Sequence, residues 1–412
     1  MKTIEPCKIS GKLEAPASKS MMQRAIAIAA LAKGTSVLHG YTPSNDSDAA
    51  LKIAEGLGAE VLVNAGTVTI KGGLNPKTQD LHVGESGLGI RMFTPIAALC
   101  SQKMALNGGG SLKVRPIDMI EKPLQDLGVT VQTNNGFVPI SVQGPINGGT
   151  ANVDGSLSSQ ILTGLLIAAP LAKNNTTYKV HDLKSKPYID MTLQIMNDFK
   201  VSAINNSYKT FEIPCKQQYV AQEYNVEGDW SGAAFLLVAA ALGGELTVAN
   251  LRADSKQADV AILTAIASAG AIVEVQKDSI FVKKQALNSF KFDATECPDL
   301  FPPLVVLAAH CKGVTEIKGV SRLKHKESDR ATVLKNEFAK LGVEIENQGD
   351  TMFVRGGAVK SGRIHANNDH RIAMAGACIA ILAQGKVEVE NPECVAKSYP
   401  SFFEDFHKIV SI

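Results

Sequence analysis

The amino-acid sequence repeats a pattern about every 70 residues, and this repeat constrains the fold more than any other feature. Each unit begins with a polar cluster, which is followed by an apolar helix, a glycine and a short strand. A second helix then leads to a strand–turn–strand that closes the unit. Because the element order is βαβαββ, the pattern predicts an α/β (α+β) fold built from six related units. Their polar clusters begin at Lys19, Gly84, Gly155, Gly228, Pro298 and Asn367.

The sixth unit has no closing hairpin, because its last segment, residues 400–409, is predicted to be a helix. Strand-like segments within residues 3–13 belong to no complete unit, so we predict that they complete the sixth one. One domain would then be discontinuous, with residues 1–18 and 228–412 forming repeats 4–6. Residues 19–227 would form an inserted domain of repeats 1–3, and the two crossing segments would act as a hinge. Around a pseudo-threefold axis, the first helices of each domain would point the same way.

Composition narrows the classes of function. The chain of 412 residues is 45% hydrophobic and 20% charged, with a net charge of +2, so nothing indicates a nucleic-acid partner. The first residues contain no apolar signal segment, and the apolar run at residues 162–171 is too short to span a bilayer. Seven cysteines form no C-x-x-C pair, which predicts reduced thiols without a zinc site. We therefore expect a cytoplasmic protein.

Residues 324–330 read Lys-His-Lys-Glu-Ser-Asp-Arg and precede a predicted amphipathic helix that ends at Gly342. Ser328 and Asp329 would lie at the start of this helix, where free N–H groups and the positive end of the helix dipole attract anions. A solvated charge run is the ordinary interpretation. The mixture of an acid with lysine and arginine also suits an anionic ligand whose chemistry needs a proton.

Cations recur at equivalent helix starts or in neighbouring loops. Each could be an ordinary surface residue, but their shared position in a chain of low net charge predicts substrates with several negative charges. They are Lys19, Arg24, Arg91, Arg115, Lys326, Arg330, Arg371 and Lys397.

Other polar groups occupy the same positions. Ser158-Ser159-Gln160 and Ser185-Lys186-Pro187-Tyr188 fit simple capping as well as ligand binding, and Asp299 fits either a cap or a base. Asp369-His370-Arg371 has no histidine at metal-ligand spacing. The glycine-rich segment 84–91 lacks the Gly-Lys-Ser/Thr ending of a nucleotide-binding loop.

Several of these segments are also the motifs of one enzyme family and occur in that family's order. They are Lys19-Ser20 with Arg24, Arg115-Pro116-Ile117, Gly155-Ser156-Leu157-Ser158-Ser159-Gln160, Ser185-Lys186-Pro187-Tyr188-Ile189-Asp190, Pro298-Asp299, Lys326-Glu327-Ser328-Asp329-Arg330, Asn368-Asp369-His370-Arg371 and Ala396-Lys397. On these motifs, and along essentially its whole length, the sequence resembles the 5-enolpyruvylshikimate-3-phosphate (EPSP) synthase family. The resemblance implies two domains of three βαβαββ units, with the active site in the cleft between them.

The resemblance also implies a reaction. The enolpyruvyl group of phosphoenolpyruvate would move to the 5-hydroxyl of shikimate 3-phosphate through a tetrahedral intermediate, releasing phosphate, in the shikimate pathway to chorismate and the aromatic amino acids. It implies no metal and no organic cofactor, and a monomer without nucleic-acid or membrane partners. Shikimate 3-phosphate would contact Lys19, Ser20, Arg24, Ser158, Ser159, Gln160, Ser185, Tyr188, Asp299 and Lys326. Phosphoenolpyruvate would contact Lys19, Gly87, Arg115, Gln160, Arg330, Arg371 and Lys397.

The chemistry requires proton transfer at two places. Asp299 is the candidate acceptor at the 5-hydroxyl, and Glu327 is the candidate proton donor and acceptor at C3 of phosphoenolpyruvate. Cations on both sides of Glu327 favour its ionised form, which suits a base better than an acid. Lys19 therefore remains an alternative acid.

The sequence departs from the family in the second unit. Where the commoner form has Asn-Ala-Gly-Thr, this chain has Glu85-Ser86-Gly87-Leu88, which predicts altered sensitivity to the family's inhibitor glyphosate, in a direction left open. One alternative is the UDP-N-acetylglucosamine enolpyruvyl transferase family, but the reactive cysteine which that family usually places around residues 110–115 is not in this sequence. A non-catalytic ligand-binding homologue is the other, although the candidate catalytic residues are all retained.

Overall fold

The structure is a computed structural model that describes residues 1–411. The chain forms two compact units. Met1–Ser18 and the chain from Glu227 onward make the discontinuous unit, and Lys19–Val226 make the inserted unit. The sequence placed residue 227 in the inserted domain, but its carbonyl accepts a hydrogen bond from Ser18 N–H at 2.8 Å.

Three short strands open the chain: β1 (Lys2–Ile4), β2 (Lys8–Ile9) and β3 (Lys12–Glu14). The inserted unit follows, with the elements α1 (Lys19–Leu31), β4 (Thr35–His39), α2 (Asn45–Gly56), β5 (Glu60–Asn64), β6 (Thr67–Lys71), β7 (Asp80–His82), α3 (Gly87–Ala97), β8 (Lys103–Asn107), α4 (Glu121–Asp126), β9 (Thr130–Asn134), β10 (Phe137–Gln143), β11 (Gly149–Asp154), α5 (Gln160–Ala168), β12 (Thr176–His181), α6 (Lys186–Asp198), β13 (Ile204–Asn206), β14 (Thr210–Ile213) and β15 (Glu223–Asn225).

The three sheets of the inserted unit share one topology. Their strand orders are β7-β8-β10-β9, β11-β12-β14-β13 and β15-β4-β6-β5. In each sheet the first two strands are parallel, and the remaining pairs are antiparallel. In the sheets that contain β7 and β11, a helix joins the parallel pair and a hairpin closes the antiparallel pair, which gives the βαβαββ order. In the third sheet the parallel edge strand is β15, which comes from the end of the inserted unit.

The rest of the discontinuous unit contains α7 (Trp230–Gly243), β16 (Glu245–Ala249), α8 (Ile262–Ala269), β17 (Ile272–Val275), β18 (Ser279–Lys283), β19 (Lys291–Asp293), α9 (Phe301–Ala309), β20 (Val314–Lys318), α10 (Arg330–Ala339), β21 (Glu344–Gln348), β22 (Thr351–Arg355), β23 (Gly362–His365), α11 (His370–Ile379), β24 (Val387–Glu390), α12 (Phe402–Ile409) and β25 (Val410–Ser411). Its sheets have the orders β3-β16-β18-β17, β19-β20-β22-β21 and β1-β24-β23, with β2 paired to β25. The repeated βαβαββ architecture predicted from the sequence is therefore confirmed.

The N-terminal strands correct one detail of that prediction. Strand β1 pairs antiparallel with β24, and β2 pairs with β25, so these two strands do complete the sixth unit. Strand β3 instead lies parallel to β16 in the fourth unit. The fourth unit needs a parallel edge strand before α7, and β15, which directly precedes α7 in the chain, already pairs with β4 of the first unit. The last predicted helix also begins later than expected, at Phe402, and continues into β25.

The first helix of each repeat is buried on nearly all sides, because its sequence is apolar all round. In α1 every residue from Met21 to Leu31 is buried. Such helices form the cores of the two units and hold their N-terminal turns in fixed positions. In residues 1–411 none of the helices has the length and apolarity that a transmembrane span requires.

Candidate active site

In the inserted unit, side chains join the N-terminal turns of three helices. Lys19, at the start of α1, forms a 2.9 Å ion pair with Asp46 in the first turn of α2. Gln23 donates from Nε2 to the carbonyl of Asp46 at 3.0 Å and to Ser86 Oγ at 2.9 Å. Because Ser86 Oγ also accepts the N–H of Gly89 as the N-cap of α3, the starts of α1, α2 and α3 are linked by direct hydrogen bonds.

Arg24 is 1% exposed and is held by neutral groups. Its Nε donates to Thr192 Oγ1 at 2.9 Å, its Nη1 to the Ser20 carbonyl at 2.7 Å, and its Nη2 to Thr163 Oγ1 at 3.3 Å. Burial lowers the pKa of this guanidinium to about 10, so it remains charged at neutral pH. Thr163 lies in α5 and Thr192 in α6, and Arg24 therefore connects both of these helices to α1.

Arg91 and Arg115 form a second cationic group. Arg91 donates to the Gly87 carbonyl and to Gln160 Oε1, both at 3.1 Å, and to the Pro116 carbonyl at 2.7 Å. Burial and then the charge of Arg115 lower the pKa of Arg91 to about 9.

Gly87 allows the guanidinium of Arg115 to lie on the start of α3. A Cβ at this position would come within 2.5 Å of Arg115 Nη2, so a larger residue would displace the guanidinium from its present position. Within residues 1–411, Arg115 Nε has no hydrogen-bond partner. The described chain also supplies no carboxylate ion pair to Arg24, Arg91 or Arg115. This set of buried cations is thus suited to an external anion.

The predicted serines lie at the starts of α5 and α6. Ser158 Oγ accepts the N–H of Gln160 at 3.2 Å, while Ser159, the N-cap residue, makes no side-chain capping bond within the described chain. Ser185 precedes α6 with a φ of 56°, in the left-handed region, a conformation that costs a non-glycine residue about 1–3 kcal/mol. Tyr188 lies in the first turn of α6, and its carbonyl accepts from Thr192 Oγ1 at 2.8 Å. These starts therefore lie around Arg24.

In the discontinuous unit, Arg330 is 0% exposed and binds three carboxylates. It donates from Nε to Asp369 at 2.7 Å, from Nη1 to Asp299 at 2.7 Å, and from Nη2 to Glu327 at 2.5 Å. Ser328 Oγ adds a 3.0 Å hydrogen bond to Asp369. One guanidinium thus joins the starts of α9, α10 and α11.

Asp299 has further cationic neighbours, Lys326 at 3.2 Å and Arg371 Nη2 at 3.1 Å. Burial opposes ionisation of this carboxyl, but Arg371, Lys326 and Arg330 outweigh it and hold the pKa of Asp299 well below its usual range. Burial also lowers the pKa of Lys326, although Asp299 acts in the opposite direction. Asp299 is therefore a carboxylate at neutral pH.

Burial distinguishes the functional candidates from surface charges. Arg115 and Lys397 are both buried, so the alternative that they are ordinary surface residues is wrong. Lys397 Nζ donates to the Asn368 carbonyl at 2.7 Å. Lys324 and His325 are exposed, so they are solvated surface residues, as the ordinary interpretation of this charge run stated. Asp329 caps α10 by accepting the N–H of Thr332, as its position at the helix start indicated.

The sequence reasoning did not find the residues that hold these side chains. Asp46, Gln23, Thr163 and Thr192 in the inserted unit, and Ser231 in the other, carry no motif. Asp46 follows the N-cap residue Ser44, so its helix-start position was the available signal. In the part of the chain that the structure describes, no group of three or more His, Cys, Asp or Glu residues could hold a metal ion.

Six βαβαββ repeats in two units, with arginines buried at the helix starts of both, define an enolpyruvyl transferase fold. The family model described as EPSP synthase (3-phosphoshikimate 1-carboxyvinyltransferase) matches residues 4–406, and the chain therefore belongs to this family.

Relatives agree over the full length. The 3-phosphoshikimate 1-carboxyvinyltransferase of Clostridium novyi is 35% identical, and the match covers 99% of this chain and 97% of the relative. That of Methanosarcina acetivorans is 36% identical, with 99% and 97% covered. The solved structure of EPSP synthase from Acinetobacter baumannii has a TM-score of 0.85 at 25% identity, covering 99% of this chain and 98% of its own. These matches confirm the predicted family, fold and enzyme class, and they do not favour UDP-N-acetylglucosamine as the acceptor.

Proposed function

We propose that the two sets of side chains described above carry out the enolpyruvyl transfer of the EPSP synthase family in this chain. The reaction moves the enolpyruvyl group of phosphoenolpyruvate to the 5-hydroxyl of shikimate 3-phosphate and releases phosphate. The observation that carries the proposal is the set of buried arginines in the inserted unit without carboxylate partners among the described residues. Two polyanionic reactants would supply the missing negative charge.

We assign shikimate 3-phosphate mainly to the inserted unit. Arg24 is fixed by threonine hydroxyls and retains its full charge, which suits a phosphate or carboxylate group. The residues proposed to contact this substrate are Lys19, Ser20, Arg24, Ser158, Ser159, Gln160, Ser185 and Tyr188, together with Asp299 and Lys326 of the discontinuous unit.

We assign phosphoenolpyruvate to a second group of cations. Arg115 rests on Gly87 with its Nε unpartnered in the described chain, while Arg330 and Arg371 already bind Asp299. The proposed contacts are Lys19, Gly87, Arg115, Gln160, Arg330, Arg371 and Lys397. An anion that bound Arg330 and Arg371 would compete with the carboxylates that these arginines hold.

This competition supports the assignment of the proton-transfer groups. Asp299 and Glu327 are stabilised as carboxylates by the same cations that would hold phosphoenolpyruvate. Sharing those cations with substrate would make both carboxylates better bases. Asp299 would accept the proton of the 5-hydroxyl as the hydroxyl oxygen bonds to C2. C3 would gain a proton from Lys19, or from Glu327 after its carboxylate has taken up a proton from solvent.

The second half of the reaction reverses the step at C3. In the tetrahedral intermediate the C2–O bond to phosphate breaks, C3 loses a proton to the carboxylate of Glu327, and the double bond forms again. The preorganised cations then stabilise the leaving phosphate, which is the kind of electrostatic assistance that can contribute several kcal/mol.

Phosphate release tests the proposal. Mixing the protein with phosphoenolpyruvate and shikimate 3-phosphate should release one phosphate per enol ether formed, and either substrate alone should release none. UDP-N-acetylglucosamine in place of shikimate 3-phosphate should give no phosphate. Release with the nucleotide sugar, or no release with both predicted substrates, would contradict the proposed function.

We further propose that the chain works as a monomer in the cytoplasm. The proposed contacts to both substrates are supplied by a single chain, and the cysteines of the described residues are free thiols, as in a reducing compartment. Light scattering coupled to size exclusion should give a mass near 43.7 kDa, and a mass of twice that value would contradict the monomer.

A further inference from the structure

Glu85 lies two residues before Gly87, the first residue of α3. Its Oε2 accepts two hydrogen bonds from Ser111, one from the backbone N–H and one from Oγ, both at 3.1 Å. The preceding residue, Gly84, accepts the N–H of Gly109 at 2.8 Å. The segment before α3 is therefore joined to the segment after β8 at two neighbouring points.

Gly110 is adapted to this carboxylate. Its φ of 49° is in the left-handed region, which favours glycine. A Cβ there would lie 2.2 Å from Glu85 Cδ and 2.4 Å from each carboxylate oxygen. The backbone conformation and the present position of the Glu85 carboxylate thus both favour glycine at position 110.

The turn that Glu85 holds leads directly to Arg115. It is a 3₁₀ turn over Gly110–Val114, and the N–H of Arg115 donates to the Leu112 carbonyl at 3.2 Å. Leu112 is buried, but Lys113 is exposed and Val114 is 77% exposed. Apolar packing alone therefore fixes little of the turn, and hydrogen bonds must supply much of its rigidity.

We propose that Glu85 is a positioning residue for Arg115. Its carboxylate fixes the turn before Arg115, while Arg91 fixes the carbonyl of Pro116 after it. The guanidinium is then held over Gly87, where it meets the phosphoenolpyruvate anion without a costly rearrangement. This inference rests on the proposed role of Arg115 as a phosphoenolpyruvate ligand.

Charge alone predicts the opposite effect on phosphoenolpyruvate binding. A carboxylate near a substrate-binding arginine repels an incoming anion, so removing it would tighten binding. The two interpretations predict KM changes of opposite sign for phosphoenolpyruvate, which makes the assignment testable.

The test compares Glu85→Ala with Glu85→Gln. Glu85→Ala should raise KM for phosphoenolpyruvate about tenfold, near the lower end of what losing a hydrogen bond to a charged group causes. It should leave kcat within about twofold and shikimate 3-phosphate affinity unchanged, because Arg115 acts on one substrate. Glu85→Gln retains an acceptor oxygen for Ser111 and should keep KM within about threefold of the parent value.

Glu121→Ala is the matched control. The Glu121 carboxylate makes the same pair of bonds in the same repeat, accepting the N–H of Thr133 at 2.7 Å and its Oγ1 at 2.6 Å. This change should lower the thermal midpoint by as much as Glu85→Ala without altering KM for phosphoenolpyruvate.

Three outcomes would overturn the inference. The first two are a lower or an unchanged KM for phosphoenolpyruvate in Glu85→Ala. The third is a rise of this KM in Glu85→Gln and Glu121→Ala that equals the rise in Glu85→Ala. Arg115→Ala separates this inference from the function on which it rests. If Arg115→Ala leaves KM for phosphoenolpyruvate unchanged, the proposed substrate site is wrong. If Arg115→Ala raises KM and Glu85→Ala does not, only the positioning role of Glu85 is wrong.

Discussion

The two units neutralise their buried cations in different ways. In the inserted unit, Arg24 is surrounded by two threonine hydroxyls and a carbonyl, and Arg91 by carbonyl and amide oxygens. In the discontinuous unit, Arg330 alone holds Asp299, Glu327 and Asp369. Both units fix arginines at helix starts, but within residues 1–411 only the buried arginines of the discontinuous unit have carboxylate counterions.

This difference gives the buried arginines of the two units different affinities for an external anion. Burial of an uncompensated guanidinium costs free energy, as the lowered pKa of Arg24 and Arg91 shows, and a bound anion recovers part of that cost. The inserted unit therefore has cations whose charge an external anion can neutralise. In the discontinuous unit, an anion that bound Arg330 or Arg371 would compete with the carboxylates these arginines hold, and under the proposed function those carboxylates would then accept protons more readily.

Removing Arg330 should give the largest effect on stability. Arg330→Met leaves one buried carboxylate, Asp369, and two partly buried ones, Asp299 and Glu327, without their common partner, which should lower the free energy of unfolding by about 3–5 kcal/mol. Urea unfolding followed by the fluorescence of Trp230, the chain's one tryptophan, reports on this unit.

Arg363→Met is the control for that measurement. Arg363 also binds two carboxylates, Glu388 and Glu390, but it is 56% exposed. Its loss should lower the free energy of unfolding far less than the loss of Arg330 does, because solvent screens an exposed ion pair. Equal losses in the two variants would remove the distinction between a buried network and a surface one.

Changing Glu327 separates proton transfer from binding. Glu327→Gln keeps the shape of the side chain and an acceptor for Arg330, but an amide cannot carry the proton at C3. We expect kcat to fall at least about 100-fold, with shikimate 3-phosphate affinity unchanged by titration calorimetry. Glu337→Gln, which changes a carboxylate bound to Lys340 and to the His365 N–H, should keep kcat. Near-normal turnover in Glu327→Gln would exclude Glu327 from the mechanism.

Arg24→Met tests the inserted unit in the same way as Arg330→Met tests the other. No described carboxylate loses a partner, and Thr163 and Thr192 remain 3.3 Å apart and can bond each other. The free energy of unfolding should therefore change by less than about 2 kcal/mol, while shikimate 3-phosphate binds about 100-fold more weakly. Calorimetric unfolding and ligand titration measure the two quantities. A loss of unfolding free energy as large as that of Arg330→Met would contradict the proposed difference between the two units.

Acid provides the smallest test. The folded pKa of Asp299 lies below its ordinary value of 3.8, so its ionisation stabilises the fold above that pH and the contribution is lost as the pH falls through the folded pKa. The difference in unfolding free energy between the parent and Asp299→Asn should stay constant from pH 7 to about 5. Below about pH 4 it should shrink by at most about 1.4 kcal/mol per pH unit. Shrinkage that begins near pH 6 would mean that the cations do not hold this carboxyl ionised.

The sequence predicted the repeat, because each unit is a local pattern of apolar periodicity, glycine and polar helix start. The prediction for β3 was wrong, because a strand-like segment at residues 12–14 could extend either the fourth or the sixth sheet. Strand pairing is non-local, and the local pattern does not decide between the two sheets. The sequence also suggested which residues stand at the helix starts, but not what holds them. The partners Thr163 and Thr192 are 139 and 168 residues from Arg24 in the chain.

The sequence by itself determined the family, the six repeats and the residue type at each helix start, because each of these depends on short contiguous segments of the chain. Only the tertiary structure decided which cations are neutralised and which are not. Ionisation and anion affinity depend on distances between groups that are far apart in the chain, such as Arg330 with Asp369 or Glu85 with Ser111. No periodicity or motif encodes those distances, because they follow from how the repeats pack on one another.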